Sequence, residues 1–363
     1  MMDYTVESAA SALQGEAGLC ADELYLSPGG CIVRLRSNST ELLAGLGDYF
    51  SHVISEAATP DVDIIAIERA APELGIDFID WKREAGKTGR KDSCVDLPGG
   101  RLVRKVRTGM VFLQSEGQRI AAGPCRQYDN QVINFINSQY MNWLQNRGWL
   151  ICHAAGLVYR GKGLGIAGFS GGGKSTLMLH MLDNDEVAYL TNDRLFIQAG
   201  SGGMLGRGIP KLPRINPGTI VHNQKLQGLI PEQQRAALLQ LPAEELWELE
   251  EKYDVHIDRV YGPGRIVQEA PIEAFLILDW RRDSDMELEV EQVDLAEHRD
   301  LLGALMKSPG PFYQYPDGSF LQDTTALDEP PYLEVLKDVA VYVARGRIDF
   351  PTLSERCLHE LLA

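Results

Sequence analysis

At 363 residues and 44% hydrophobic composition, the chain is long enough for two packed domains and too apolar for disorder. Its formal net charge of −16 argues against a nucleic-acid partner, which needs a lysine and arginine stripe to release counterions. No run of about 18 apolar residues occurs, and the N-terminal stretch has neither a basic cluster nor an apolar core, so no membrane partner and no signal peptide are expected; a cytoplasmic location follows.

The cysteines Cys20, Cys31, Cys94, Cys125, Cys152 and Cys357 form no CxxC pair, which predicts reduced, mostly buried thiols rather than a zinc site.

Residues 1–125 read as an α+β module. Cys31 to Arg36 alternates as a strand, Thr40 and Glu41 open a short amphipathic helix to Phe50, and Val62 to Ile67 is another strand. From Cys94 to Ala122 apolar and polar residues alternate between turns at Pro98-Gly99-Gly100, Thr108-Gly109 and Glu116-Gly117, which predicts repeated hairpins. The cations Lys82, Arg83, Lys87, Arg90, Lys91, Arg101, Arg104, Lys105 and Arg107 crowd this stretch. They read as solvated hairpin faces, with a basic surface for an anionic partner as the alternative.

Residues 126–363 read as a nucleotide-binding domain. A helix from about Tyr128 to Asn146, with Val132, Phe135, Ile136, Tyr140 and Leu144 at helical spacing, leads into it. Leu150 to Tyr159 is a strand, Arg160-Gly161-Lys162-Gly163 a turn, and Leu164 to Ala167 a second strand. That strand enters Gly168-Phe169-Ser170-Gly171-Gly172-Gly173-Lys174-Ser175-Thr176, which fits GxxxxGK[ST] and is followed by a helix.

The spacing predicts a nucleoside triphosphate site. Glycines let backbone N–H groups turn toward a β-phosphate and the helix N-terminus adds partial positive charge. Gly168, Ser170, Gly171, Gly172, Gly173, Lys174, Ser175 and Thr176 are the expected binding residues; Lys174 meets β/γ oxygens and Ser175 ligates Mg²⁺. If the two strands pair across their turn, the residue opposite His153 lies between Gly168 and Gly172, which sets the imidazole at the mouth of the site. Val187 to Thr191 is a buried strand ending at Asn192-Asp193-Arg194, where Asp193 is the expected second magnesium ligand. Arg194 serves either a local salt bridge or a phosphate.

His153-Ala154-Ala155-Gly156, Gly168 through Thr176, and Thr191-Asn192-Asp193-Arg194 together resemble the HPr kinase/phosphorylase superfamily, whose fold is shared with phosphoenolpyruvate carboxykinase. The resemblance is nearest to the relatives called HprK-related kinase B, through Ile209-Pro210-Lys211-Leu212-Pro213-Arg214-Ile215-Asn216-Pro217-Gly218 and Trp247 to Asp254. It implies an α/β fold: an HPr kinase/phosphoenolpyruvate carboxykinase-like P-loop domain with a mixed sheet, preceded by the α+β N-terminal module. It also implies transfer of the γ-phosphate of magnesium-bound ATP to a hydroxyl. The family has two aspartates where this chain has Asn192 and Asp193, the first serving as general base. Asn192 cannot take a proton, so His153 or another carboxylate does that work, or a loose transition state needs little base.

Downstream, the proline-rigid loop carrying Lys211 and Arg214 presents two cations to an anion or is a plain connector. A helix from Leu238 to Lys252 would bring Glu250 and Asp254 onto one face as alternatives for the base. Phe275 to Trp280 reads as a core strand, and Tyr342 to Phe350 as a terminal strand.

The resulting expectation is a kinase with ATP and Mg²⁺ as cofactors and His153, Lys174, Asn192 and Asp193 in the catalytic set. Its acceptor is a serine of a protein or peptide, or a small molecule, and a homo-oligomer stays open. The rivals are a nucleotide-gated regulatory ATPase without an acceptor, which Asn192 favours, and a silent binding module, which intact Lys174, Ser175 and Asp193 disfavour.

Overall fold

The chain divides into two units: Met1–Gly148 with Ser308–Ala326, and Trp149–Lys307 with Leu327–Ala363. The computed structural model describes residues 4–83, 89–169, 172–249, 251–281 and 284–363.

The first unit is built on a mixed sheet. Its strands are β1 Glu23–Leu26, β2 Val33–Ser37, β3 Val62–Glu68, β4 Ile79–Asp80, β5 Asp92–Leu97, β6 Gly100–Lys105, β7 Val111–Ser115 and β8 Arg119–Gly123, in the spatial order β1-β2-β3-β8-β7-β6-β5-β4. The hairpins read between Cys94 and Ala122 are the antiparallel run β5 to β8, whereas β2, β3 and β8 pair in parallel. Helix α1, Val6–Gln14, starts at a Thr5 capping box, the reciprocal hydrogen bonding that satisfies orphan N–H groups. It buries Ala9, Ala10 and Leu13 against Leu102, Val111, Leu113 and Ile120. Helix α2, Thr40–Tyr49, is capped by Ser39. Helix α3, Asp129–Gln145, grouped with the second region in the sequence reading, lies in this first unit. Its Phe135 meets Phe112 and Phe312 in an aromatic trio with centroids 5.0 to 5.6 Å apart, so the returning segment Ser308–Ala326 completes the core beneath it.

Several cations of the 82–107 run point inward. Arg101 is 1% exposed, pairs with Asp96, donates to the Pro311 and Leu321 carbonyls and stacks on Trp81 and Phe320. Lys105 pairs with Asp92 at 2.6 Å. Arg104 and Lys91 remain exposed, and Lys87 lies outside the described residues.

The second unit also has a mixed sheet: β9 Leu150–Cys152, β10 Ala154–Tyr159, β11 Lys162–Gly168, β12 Val187–Thr191, β13 Leu195–Gly200, β14 Gly203–Arg207, β17 Glu269–Leu278, β18 Glu289–Val293 and β19 Ala340–Arg345, with β15 Arg214–Ile215 and β16 Tyr253–Asp254 forming a separate pair. The main order runs β12-β10-β11-β17-β14-β13-β9, and β19 joins β17 on its C-terminal half. β11, β17 and β19 are parallel; β10 is antiparallel to both β11 and β12.

Helix α4, Lys174–Leu182, packs Leu177, Met178, Met181 and Leu182 on one face of this sheet with Leu157, Leu164, Ile166, Val187 and Tyr189, each such burial contributing about 1.5–3 kcal/mol. The other face carries Phe275, Ile277, Leu302, Leu305 and Leu336. All six cysteines are free thiols, with Cys31, Cys125, Cys152 and Cys357 buried. Among the described residues, no helix is long and apolar enough to cross a membrane.

Two expected elements differ. Among the described residues no helix runs from Leu238 to Lys252: a short helix, Glu232–Leu238, ends there, Pro242 starts another over Ala243–Glu248, and Tyr253–Asp254 is a strand. Proline lacks the N–H and clashes with the preceding turn, so it divides the segment. The strand expected over Tyr342 to Phe350 stops at Arg345, where Gly346 turns with φ +78°, and a helix starts at Phe350.

Candidate functional site

Antiparallel pairing brings the start of β10 level with the ends of β11 and β12. The register runs from Tyr159↔Lys162 to Ala154↔Ala167, so one further pair sets His153 opposite Gly168. At His153 the chain switches neighbours, because β9 pairs with β13 and β10 with β11 and β12. The His153 N–H leaves the ladder and donates to the Leu305 carbonyl at 2.7 Å.

Here the sequence-predicted residues meet. His153 Nε2 lies 3.1 Å from Asp193 Oδ1, and Arg194 closes on the other Asp193 oxygen. Ser175 Oγ donates to Asn192 Oδ1 at 2.8 Å, Lys174 Nζ to the Gly168 carbonyl at 3.0 Å, and the Thr176 and Thr219 hydroxyls lie 3.3 Å apart. β10 stands between β12, which carries Asn192 and Asp193 at its end, and β11, which ends at Gly168. Ser170 and Gly171 lie outside the described residues, as does Glu250. Asp254 is paired with Arg214 at 3.1 Å on β15–β16.

The charges tune one another. Burial opposes ionisation of Asp193, but the Arg194 charge, the His153 hydrogen bond and the Lys211 charge outweigh it and hold the carboxyl well below the usual range. The Asp193 hydrogen bond favours protonated His153, yet burial and the Lys174 and Lys307 charges win and push it below the ordinary imidazole value. A neutral imidazole that faces an ionised carboxylate through Nε2 carries its proton there, which leaves Nδ1 as an acceptor.

The roles of Trp280, Phe350 and Arg345 escaped the sequence reading. The Trp280 indole donates to the Gly172 carbonyl at 2.8 Å. Gly173 adopts φ +83°, and a Cβ there would overlap the Phe350 ring, so glycine serves both the left-handed turn and the close approach. Phe350 in turn meets Trp280 edge-on and stacks flat on His180. Beside them, Arg345 bridges Asp279 and Glu291. These partners lie far away in sequence; an aromatic after the core strand at Trp280 was the one available signal.

Among the described residues, no three His, Cys, Asp or Glu side chains gather as an all-protein metal centre. The oxygens of Ser175, Asn192 and Asp193 are hard donors suited to a cation that a phosphate also ligates.

No family model matches the chain, and no curated protein does. Among solved structures it is similar to the HPr(Ser) kinase/phosphatase from Coxiella burnetii, at 12% identity and a TM-score of 0.29, covering 56% of this chain and 86% of that one.

Proposed function

We infer that the unit Trp149–Lys307 with Leu327–Ala363 is an ATP-dependent kinase of the HPr kinase-related type, acting on a hydroxyl. The observation that carries this reading is the convergence of Lys174, Ser175, Asn192, His153 and Asp193 where β10 starts and β11 and β12 end. Backbone N–H groups of the glycine-rich segment and Lys174 bind the phosphates. Magnesium fits the donor set by its chemistry, since the Ser175 hydroxyl, the Asn192 amide and the Asp193 carboxylate offer hard oxygens side by side. Ser175, Asn192 and Asp193 would hold it; when bound it neutralises charge across the β- and γ-phosphates. Asn192 thereby has a task other than that of a base.

His153, fixed by Asp193, accepts the acceptor's proton at Nδ1 as the acceptor oxygen bonds to the γ-phosphorus. The bond from phosphorus to the β,γ-bridging oxygen breaks, and ADP leaves with that electron pair. In the second reading, a nucleotide-gated ATPase, water takes the acceptor's place; Asn192 favours it, because its amide leaves no second carboxylate to serve an acceptor.

Incubation with γ-labelled ATP, Mg²⁺ and host lysate separates the two. Label in a host component, lost in Lys174→Ala, is the expected result; label released only as free phosphate would move the reading to the ATPase.

A further inference from the structure

We propose that the first unit binds a small carboxylate with an apolar body, in a cavity whose polar end is formed by Arg104 and Ser93. All the residues that line it belong to that unit, so the site does not rest on the kinase reading. Its volume is about 270 Å³, just under the range of roughly 300–1,000 Å³ for drug-sized ligands, and the occupant is correspondingly small.

Sheet register builds the floor. Strands β4, β5 and β6 align Asp80 with Ser93 and Ser93 with Arg104, which sets the three in one row. Side chains alternate along a strand, so Arg104 turns to the opposite face from Lys105, whose ammonium closes on Asp92. The segment 70–78 forms the other wall and is held in place by its neighbours. Arg69 donates to the Ala12 and Leu13 carbonyls at 2.9 Å, and the Tyr4 hydroxyl donates to the Leu74 carbonyl at 3.1 Å. Ile76 and Phe78 come from this segment and, with Val106, make the cavity's apolar side.

Two polar groups of the lining lack the partners their chemistry calls for. Ser93 is 1% exposed, and its hydroxyl makes no hydrogen bond among the described residues. A buried hydroxyl left unpaired is costly, and a ligand oxygen removes that cost. The Arg104 guanidinium lies 5.9 Å from the Phe78 ring centroid and meets no carboxylate among the described residues. A guanidinium resting on a ring still presents the N–H groups of its edge, in the fork that fits a carboxylate. The other charges set the charge of the ligand. Asp80 is taken up by Arg90 at 2.7 Å, while Asp77 brings a negative charge to the lining. One unpaired guanidinium beside one carboxylate suits a single negative charge and opposes the double charge of a phosphate group.

Calorimetric titration of the full chain with isovalerate and with phenylacetate tests this, beside benzyl alcohol and inorganic phosphate as comparison ligands. At least one of the two carboxylates should bind, and more tightly than either comparison ligand. Arg104→Gln should weaken it about tenfold and Ser93→Ala about threefold, with the urea midpoint of Arg104→Gln matching the unmodified chain. Arg107→Gln, an exposed cation outside the lining, should leave the affinity unchanged. No binding of either carboxylate, equal binding of benzyl alcohol, tighter binding of phosphate, unchanged affinity in Arg104→Gln, or an equal loss in Arg107→Gln overturns the proposal.

Discussion

Each unit holds a carboxylate against a basic side chain, and the two pairs are built differently. In the first unit, Lys105 and Asp92 are 13% and 10% exposed and close on each other. In the second, His153 and Asp193 keep 25% and 41% exposure, and Asp193 answers to Arg194 and Lys211 as well. A closed pair compensates two buried charges and offers little of either to a ligand. An open one, ringed by further charges, has perturbed proton affinities and a free face, which is where chemistry is expected.

Breaking the open site should have the largest effect. Lys174→Ala or Asp193→Ala is expected to abolish phosphoryl transfer in the labelled-ATP assay, and full activity in either would sink the kinase reading. His153→Ala should lower the rate about 100-fold, the lower range of general-base contributions. Because the folded His153 binds its proton less tightly than a free imidazole, the neutral base persists as pH falls through the ordinary value of about 6.5. Activity should then decline only as pH passes the depressed value, whereas the stability contributed by the neutral group is full above the unfolded value of about 6.5 and is lost as pH falls from there through the depressed one. A pH–rate profile that declines already above about 6.5 would contradict this.

Disruption of the closed pair should appear in stability instead. Lys105→Met leaves Asp92 buried without its cation and should cost about 2 kcal/mol in urea unfolding, somewhat under the full penalty for a wholly buried charge. The smallest change concerns the aromatic brace. Trp280→Phe keeps the ring but loses the bond to Gly172, so ATP affinity should drop about fivefold, equivalent to about 1 kcal/mol.

Local chemistry made much of this architecture legible. Alternation with glycine turns marked β5 to β8, and Arg160-Gly161 marked the β10–β11 hairpin whose register lines up His153 with Gly168. Apolar spacing marked α3 and α4, though it could not say which unit α3 would join, since that depends on Phe112 and Phe312. Pro242 was a readable stop signal within the Leu238 to Lys252 segment, and it outweighed the apolar pattern there. The contacts of Trp280 and Phe350 with the glycine-rich segment, and the inward turn of Arg101, depend on long-range packing that no local pattern encodes.

The segment Ser308–Ala326 has a consequence for biosynthesis. It supplies Phe312 to the aromatic trio and the Pro311 and Leu321 carbonyls to Arg101, while Asn142 and Asn146 bind the backbone of Gln314. A growing chain therefore cannot finish its N-terminal unit when Gly148 leaves the ribosome. Arg101 lacks its carbonyl acceptors until the second unit is mostly made, and a fragment cut at Gly148 would lack the piece that seals it.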